Sequence, residues 1–263
     1  MPTLLDAGLT SEQLMAAWCF LITSFMSVKT CQYACSDIKP CRGLYFWSSM
    51  AASLGVWSYS LSSLLQSFAL VSTEVLSLIM GVAWIIMGTG NSLLLHSRVH
   101  LAITSISPRR TYATAASILA SLLLVQLPAS WNLATAGSMP EDTFQVHEIT
   151  QVTALVGQEA LIMGVFAHGL YQSWKLASED ADQWVRDENR NLIQYLSFVF
   201  AIDVMVLVAE HTAGFRMLTV TKSLIYSLKI FYLVIILNDS AESVHDTNLM
   251  YRSRLKRQEE DIK

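Results

Sequence analysis

The sequence predicts an all-α, polytopic membrane protein: one bundle of seven transmembrane helices, N-terminus outside and C-terminus in the cytosol. Three observations predict it. Of 263 residues, 53% are hydrophobic and only 14% charged, and the mean hydropathy is positive, a composition typical of membrane proteins. Seven apolar segments are long enough to cross a bilayer. The basic residues gather in alternate connections. With the N-terminus outside, the cytosolic side holds Lys29, Lys39 and Arg42, then Arg98, Arg109 and Arg110, then Lys175, Arg186 and Arg190, and finally Arg252, Arg254, Lys256, Arg257 and Lys263. The outer connections hold only Arg216. The bundle is expected over residues 1–240 and a polar cytosolic tail over 241–263. The net charge of −4 and the absence of a long basic block argue against a nucleic-acid partner.

The first segment, 12–28, is short. The leader MPTLLDAGLTSEQ has no basic n-region, so a retained helix is expected rather than a signal peptide. The second, 44–66, interleaves Tyr45, Trp47, Trp57 and Tyr59 with serines and alanines, small residues that allow close helix packing. Trp57 and Tyr59 lie deeper than an interfacial belt and are candidates to line a cavity. The third, 72–96, starts near Glu74 and closes with Asn91 and His96, followed by Arg98 and His100. Arg98 reads as a snorkelling arginine at lipid phosphate. The fourth, 112–131, carries Pro128, which should end or kink it. An outer loop with Trp131, Glu141, Asp142, His147 and Glu148 follows and reads as a solvated acidic rim. The fifth, 149–172, has Glu159 at its centre, with Gly157 and Gly164 seven apart as expected packing positions. A polar inner loop leads to the last two segments, 191–210 and 217–238.

Those two carry the main chemical signal. Asp203 and Glu210 lie seven apart on one, and Lys222 and Lys229 seven apart on the other. Seven residues are about two turns and roughly 10 Å of rise, so each pair shares a helix face. Because the helices run antiparallel, Asp203 should meet Lys229 at mid-depth and Glu210 should meet Lys222 nearer the surface. Ionisable groups in a membrane face the bundle interior and commonly mark function. Ion pairs that lock helix register are the structural alternative. At mid-depth two carboxyls, Glu159 and Asp203, share one cation. One carboxyl is therefore expected to be neutral, and Glu159 is the expected proton donor, with Asp203 either paired to Lys229 or competing for the same proton.

Cys31, Cys35 and Cys41 are expected in the first cytosolic loop, where disulfides are disfavoured. Without a fourth ligand at zinc spacing they read as free thiols, with palmitoylation as the alternative. Asn238-Asp239-Ser240 matches a glycosylation sequon but falls on the cytosolic side.

The stretches RGLYFWSSMAASLGVWSYSLSSLLQSF, GTGNSLLLHSRVHLAI, QEALIMGVF and AIDVMVLVAEHTAGFRMLTVTKSLIYSLKI resemble a family of fungal seven-helix integral membrane proteins. They also resemble, more loosely, the membrane-bound terpene cyclases of ascochlorin and ascofuranone biosynthesis. The resemblance spans residue 42 to about 240 and includes all five buried charges, so the charge ladder belongs to the whole family and does not single out a cyclase. It implies cyclisation of an epoxidised prenylated aromatic, a meroterpenoid intermediate, in the endoplasmic reticulum. The implied partners are this lipophilic substrate, membrane lipid and other biosynthetic membrane enzymes.

Such chemistry needs a buried acid, aromatic faces for a carbocation and exclusion of water. Glu159 and Asp203 are the candidate catalytic acids. Glu210, Lys222, Lys229 and Tyr226 are the supporting ladder, and Trp57, Tyr59, Trp84, Phe166 and Phe200 the candidate cavity aromatics. Protonation needs no metal or cofactor, and no diphosphate-binding aspartate cluster occurs. Three other readings stay open. One is a receptor or photosensor with a Schiff base on Lys229, although Ile225 stands one turn before it and the third segment has no central acid. The second is a proton-coupled transporter, although no inverted repeat is evident. The third is a non-catalytic partner of other membrane enzymes.

Overall fold

The computed structural model describes residues 10–36, 43–102, 141–176, 183–212 and 220–238, and every regular element among them is helical. We number the helices α1 (Ser11–Ser36), α2 (Leu44–Ser67), α3 (Thr73–Ala102), α4 (Glu141–Leu176), α5 (Gln183–Thr212) and α6 (Val220–Asn238). All but α2 are long and apolar enough to cross a membrane. The protein is an all-helical, polytopic membrane protein. The expected span over 112–131, the Glu210–Lys222 pairing, Cys41 and the tail over 241–263 lie outside the described residues or side chains.

Several helices exceed their apolar segments, because helix geometry continues past the hydrocarbon boundary wherever local capping supports it. α1 starts at a reciprocal cap. Thr10 Oγ1 accepts from the Gln13 backbone N–H at 3.3 Å, and Gln13 Oε1 accepts from the Thr10 N–H at 3.1 Å. At its other end α1 runs to Ser36, so Lys29, Cys31 and Cys35 sit on the helix and not in a loop. The Lys29 ammonium lies 5.9 Å from the Phe25 ring centroid. Cys19, Cys31 and Cys35 are free thiols. Glu141, Asp142, His147 and Glu148 are likewise helical, in the first turns of α4. α4 has 36 residues, about 54 Å of helix against a hydrocarbon core of roughly 30 Å. α5 begins eight residues before its apolar segment.

α2 and α3 form a tight antiparallel hairpin. α2 ends with Ala69 in the left-handed region at φ 49. The Leu70 N–H reaches the Leu65 carbonyl and the Ala69 N–H the Gln66 carbonyl, which reverses the chain within a few residues. Serine-rich α2 is tolerated in an apolar setting in part because several of its hydroxyls turn back on their own helix. Ser48 and Ser49 donate to the Tyr45 carbonyl and Ser62 donates to that of Ser58, all at 2.9 Å.

The close approach of α2 and α3 depends on glycine. A Cβ at Gly55 would lie 2.5 Å from the Met87 nitrogen, and one at Gly90 2.5 Å from the Ala52 nitrogen. Both obstacles are backbone, so the helices would have to part. The sequence places close packing at Gly157 and Gly164 instead. Both face outward, and a Cβ there meets nothing within 4 Å among the described residues. Gly90→Ala is therefore expected to cost about 1–3 kcal/mol through overpacking. It should lower the melting temperature of detergent-purified protein, while Gly157→Ala leaves it unchanged.

α6 is the hub, and each of the other described helices touches it. Tyr33 of α1 packs edge-on against Phe231 at 5.9 Å. From α2, Tyr45 donates from its hydroxyl to Asn238 Oδ1 at 2.6 Å, and Ser60 accepts from Ser223 at 3.2 Å. Trp84 of α3 meets Tyr226, and α4 and α5 reach Lys229. Asn238 also donates to the Tyr33 carbonyl at 3.4 Å. Its side chain is thus buried in a clasp at the end of α6, which rules out its use as a glycosylation acceptor in the folded protein. The outward faces are apolar, with Trp18, Leu21, Phe25, Leu54, Leu161, Phe198 and Met205 all exposed. Lipid is the solvent that suits such a surface.

Candidate functional site

Lys229 sits midway along α6 and is fully buried. Its ammonium bridges two carboxylates from two other helices, Glu159 of α4 and Asp203 of α5. Both acids are also fully buried. The antiparallel register that places Asp203 level with Lys229 is the one expected from the sequence. The arrangement differs from a simple Asp203–Lys229 pair, because Glu159 holds the same ammonium.

A fourth residue completes the centre. Asn91 of α3, fully buried, donates from Nδ2 to Glu159 Oε1. Glu159 Oε2 takes the lysine. Both Glu159 oxygens thus accept from donors. Asp203 is satisfied on one side only: Oδ1 takes Lys229, while the buried Oδ2 has no hydrogen-bond partner among the described residues. Asn91 Oδ1 is buried and unmatched in the same sense. A buried polar atom without a partner costs about 1–3 kcal/mol, so such atoms gathered at one centre mark a place where a proton, a water or a ligand group belongs.

The formal charge of the centre decides what it must hold. With both carboxylates ionised and Lys229 protonated, the sum is −1. An uncompensated charge is costly inside a low-dielectric bundle. One additional proton would remove it, and Asp203 Oδ2 is the carboxyl oxygen of the centre to which no described donor is turned. The sequence expects Glu159 as the donor, with Asp203 either paired to Lys229 or competing for the same proton; the structure brings both carboxyls onto the one ammonium.

Aromatic rings continue the site along α3 and α6. Trp84 lies seven residues before Asn91, on the same face of α3. It meets Tyr226 edge-on, with centroids 5.4 Å apart, and Tyr59 of α2 at 5.9 Å. The Lys222 ammonium stands 5.3 Å from the Trp84 ring centroid, and that of Lys229 5.3 Å from the Tyr226 centroid. The ring faces are therefore already used to stabilise cations. Lys222, Tyr226, Trp84 and Tyr59 are buried together. Phe166 is buried in the same core, two turns along α4 from Glu159.

Two expected cavity aromatics do not join this cluster. Trp57 is 37% exposed and packs on Phe20 of α1 at 6.3 Å. Phe200 is 39% exposed on the outer face of α5. Each stands about a hundred degrees around its helix from a buried neighbour, Trp57 from Val56 and Phe200 from Val199, a rotation that hydrophobicity alone does not reveal. Asn91 was the converse case. It read as one of several polar residues near the inner end of α3, and the signal that singles it out is its seven-residue spacing from Trp84.

Residues 8–245 match a family described as a domain of unknown function, DUF7703. The chain belongs to the DUF7703 family. No curated protein matches the chain. Within this DUF7703 chain the matched region contains Asn91, Glu159, Asp203 and Lys229 and all six described helices, so the centre is part of the family domain and not of an appended segment.

Proposed function

We propose that this DUF7703 protein is a membrane-bound terpene cyclase whose acid is Asp203. On this reading it cyclises an epoxidised, prenylated aromatic, a meroterpenoid intermediate, without a metal. The observation that carries the reading is the buried Asp203 Oδ2, without a hydrogen-bond partner among the described residues, beside an ammonium in a centre that needs one more proton to be neutral. The substrate class comes from the resemblance to the ascochlorin and ascofuranone cyclases. The reading takes the chain as seven spans, N-terminus outside, in the endoplasmic reticulum, where a lipophilic substrate partitions.

The proton on Asp203 Oδ2 is given to the epoxide oxygen, which becomes a hydroxyl as its C–O bond breaks. The chain alkene supplies its π electrons to the resulting cationic carbon and closes the ring. The ring cation then loses a proton from carbon, and that proton restores Asp203. Lys229 holds the Asp203 carboxylate in place while it is ionised. Trp84 and Tyr226, whose faces already attract ammonium groups, stabilise the migrating cation in the same way. Burial keeps water from trapping it. Membranes containing the protein are expected to convert an epoxyfarnesyl-type prenyl phenol to a cyclised product, and membranes containing Asp203→Asn are not. Absence of product with normally accumulated wild-type protein would end this reading.

One observation favours a second reading, a receptor or sensor. A Schiff base on Lys229 needs counter-ions, and α4 and α5 supply two carboxylates that the third segment and the preceding turn of α6 do not. Borohydride reduction of membranes supplied with retinal would then fix the chromophore covalently to the wild-type protein, and Lys229→Ala would abolish both the adduct and visible absorbance.

A further inference from the structure

We infer that Asn91 is the positioning residue that decides which of the two carboxyls carries the proton. The inference rests on the proposal that the centre holds one exchangeable proton, and adds where it resides and what keeps it there. Glu159 and Asp203 are equivalent in two respects, since each is fully buried and each accepts from Lys229. They differ in one. Glu159 receives a second N–H from Asn91 and Asp203 receives none among the described residues. A carboxylate with donors on both oxygens is stabilised as the anion, because its neutral form would have to turn an O–H toward an N–H. The proton is thereby excluded from Glu159 and assigned to Asp203 Oδ2. The amide of Asn91 is suited to this role because it is a donor that carries no charge. A lysine or arginine in its place would neutralise the centre and remove the need for the proton altogether.

The groups around the centre leave this assignment intact. α6 contributes Lys229 and Tyr226, α3 Asn91 and Trp84, α4 Glu159, α5 Asp203 and α2 Tyr59, while the Lys222 ammonium stands over Trp84, two turns along α6 from Lys229 and outside the three-group charge count. Among these described residues the only carboxyls are Glu159 and Asp203, so the choice is between two addresses. The same charge count shows why carboxyl variants at neutral pH do not report where the proton rests in the wild type. Either Glu159→Gln or Asp203→Asn leaves one carboxylate with one ammonium, and neither needs the extra proton.

Isotope labelling avoids that difficulty. The protein, reconstituted in lipid at neutral pH, is examined by infrared spectroscopy for the C=O stretch of a protonated carboxyl. One preparation carries ¹³C at the aspartate side-chain carboxyls and another at the glutamate ones. The band is expected to move to lower frequency with labelled aspartate and stay in place with labelled glutamate. In Asn91→Leu, or in Asn91→Ala should the first variant not fold, an appreciable share of the band is expected to respond to labelled glutamate. A wild-type band that follows the glutamate label overturns the inference without any variant, as does a band that stays wholly on aspartate once the amide is removed. A wild type with no protonated-carboxyl band overturns the single-proton proposal itself, which keeps the two failures distinct.

Discussion

Lys229→Met is expected to destabilise the folded protein by about 3–5 kcal/mol, the usual cost of removing one partner from a buried ionic network. The substitution keeps an unbranched side chain of similar length, so packing changes little. It leaves Glu159 and Asp203 facing each other without the ammonium that both now hold. It also removes the ammonium through which both α4 and α5 are ion-paired to the hub helix. Uptake of a second proton limits the loss and makes it smaller at acid pH. The decisive comparison is with the triple variant Lys229→Met, Glu159→Gln, Asp203→Asn. An uncharged centre has no desolvation cost to recover, so the triple variant is expected to melt close to the wild type although Lys229→Met alone does not. Equal melting of Lys229→Met and wild type would mean that the centre is not ionised in the folded state.

The same centre shows how far the sequence could be read. Charged residues in apolar segments are rare enough to stand out, and the seven-residue spacing of Asp203 from Glu210 and of Lys222 from Lys229 places each pair on one face with no knowledge of the fold. Antiparallel pairing of adjacent helices then brings Asp203 to Lys229, as the structure has it. The arrival of Glu159 on the same ammonium depends on how α4 packs against α5 and α6, which depth alone does not specify. Asn91 was harder still, since an uncharged amide costs less to bury than a charge and so draws less notice. Helix rotation was the least legible feature. Trp57 and Phe200 lie on segments whose outer faces are apolar, in α2 with the serines turned inward, so no polar face marks the outside, and Gly157 and Gly164 mark no close contact among the described residues. Helix ends were misjudged for a related reason. An apolar window measures the membrane, whereas Thr10 and Gln13 at α1 and the polar first turns of α4 and α5 continue the helix outside it.

Asp203→Asn and Glu159→Gln are each expected to lower cyclisation of the prenyl-phenol epoxide by about 10²–10⁴-fold at neutral pH, the range associated with loss of a general acid. They lose it for different reasons, and pH separates them. Asp203→Asn removes the group that delivers the proton. In Glu159→Gln the acid is still present, but Asp203 is left as the sole partner of Lys229 and stays ionised, so there is no proton to deliver. Lowering the pH adds one to Asp203. The activity of Glu159→Gln should therefore rise as the pH falls, whereas that of wild type should change little until the fold itself is affected. In Asp203→Asn the added proton goes to Glu159, whose oxygens are both turned to Asn91 and Lys229, and activity should not return. Rates measured from neutral to mildly acid pH with all three proteins test this directly. Recovery of Asp203→Asn in acid, with Glu159→Gln remaining inactive, would move the acid to Glu159. Recovery of neither would mean that both carboxylates act only through the geometry they impose on Lys229.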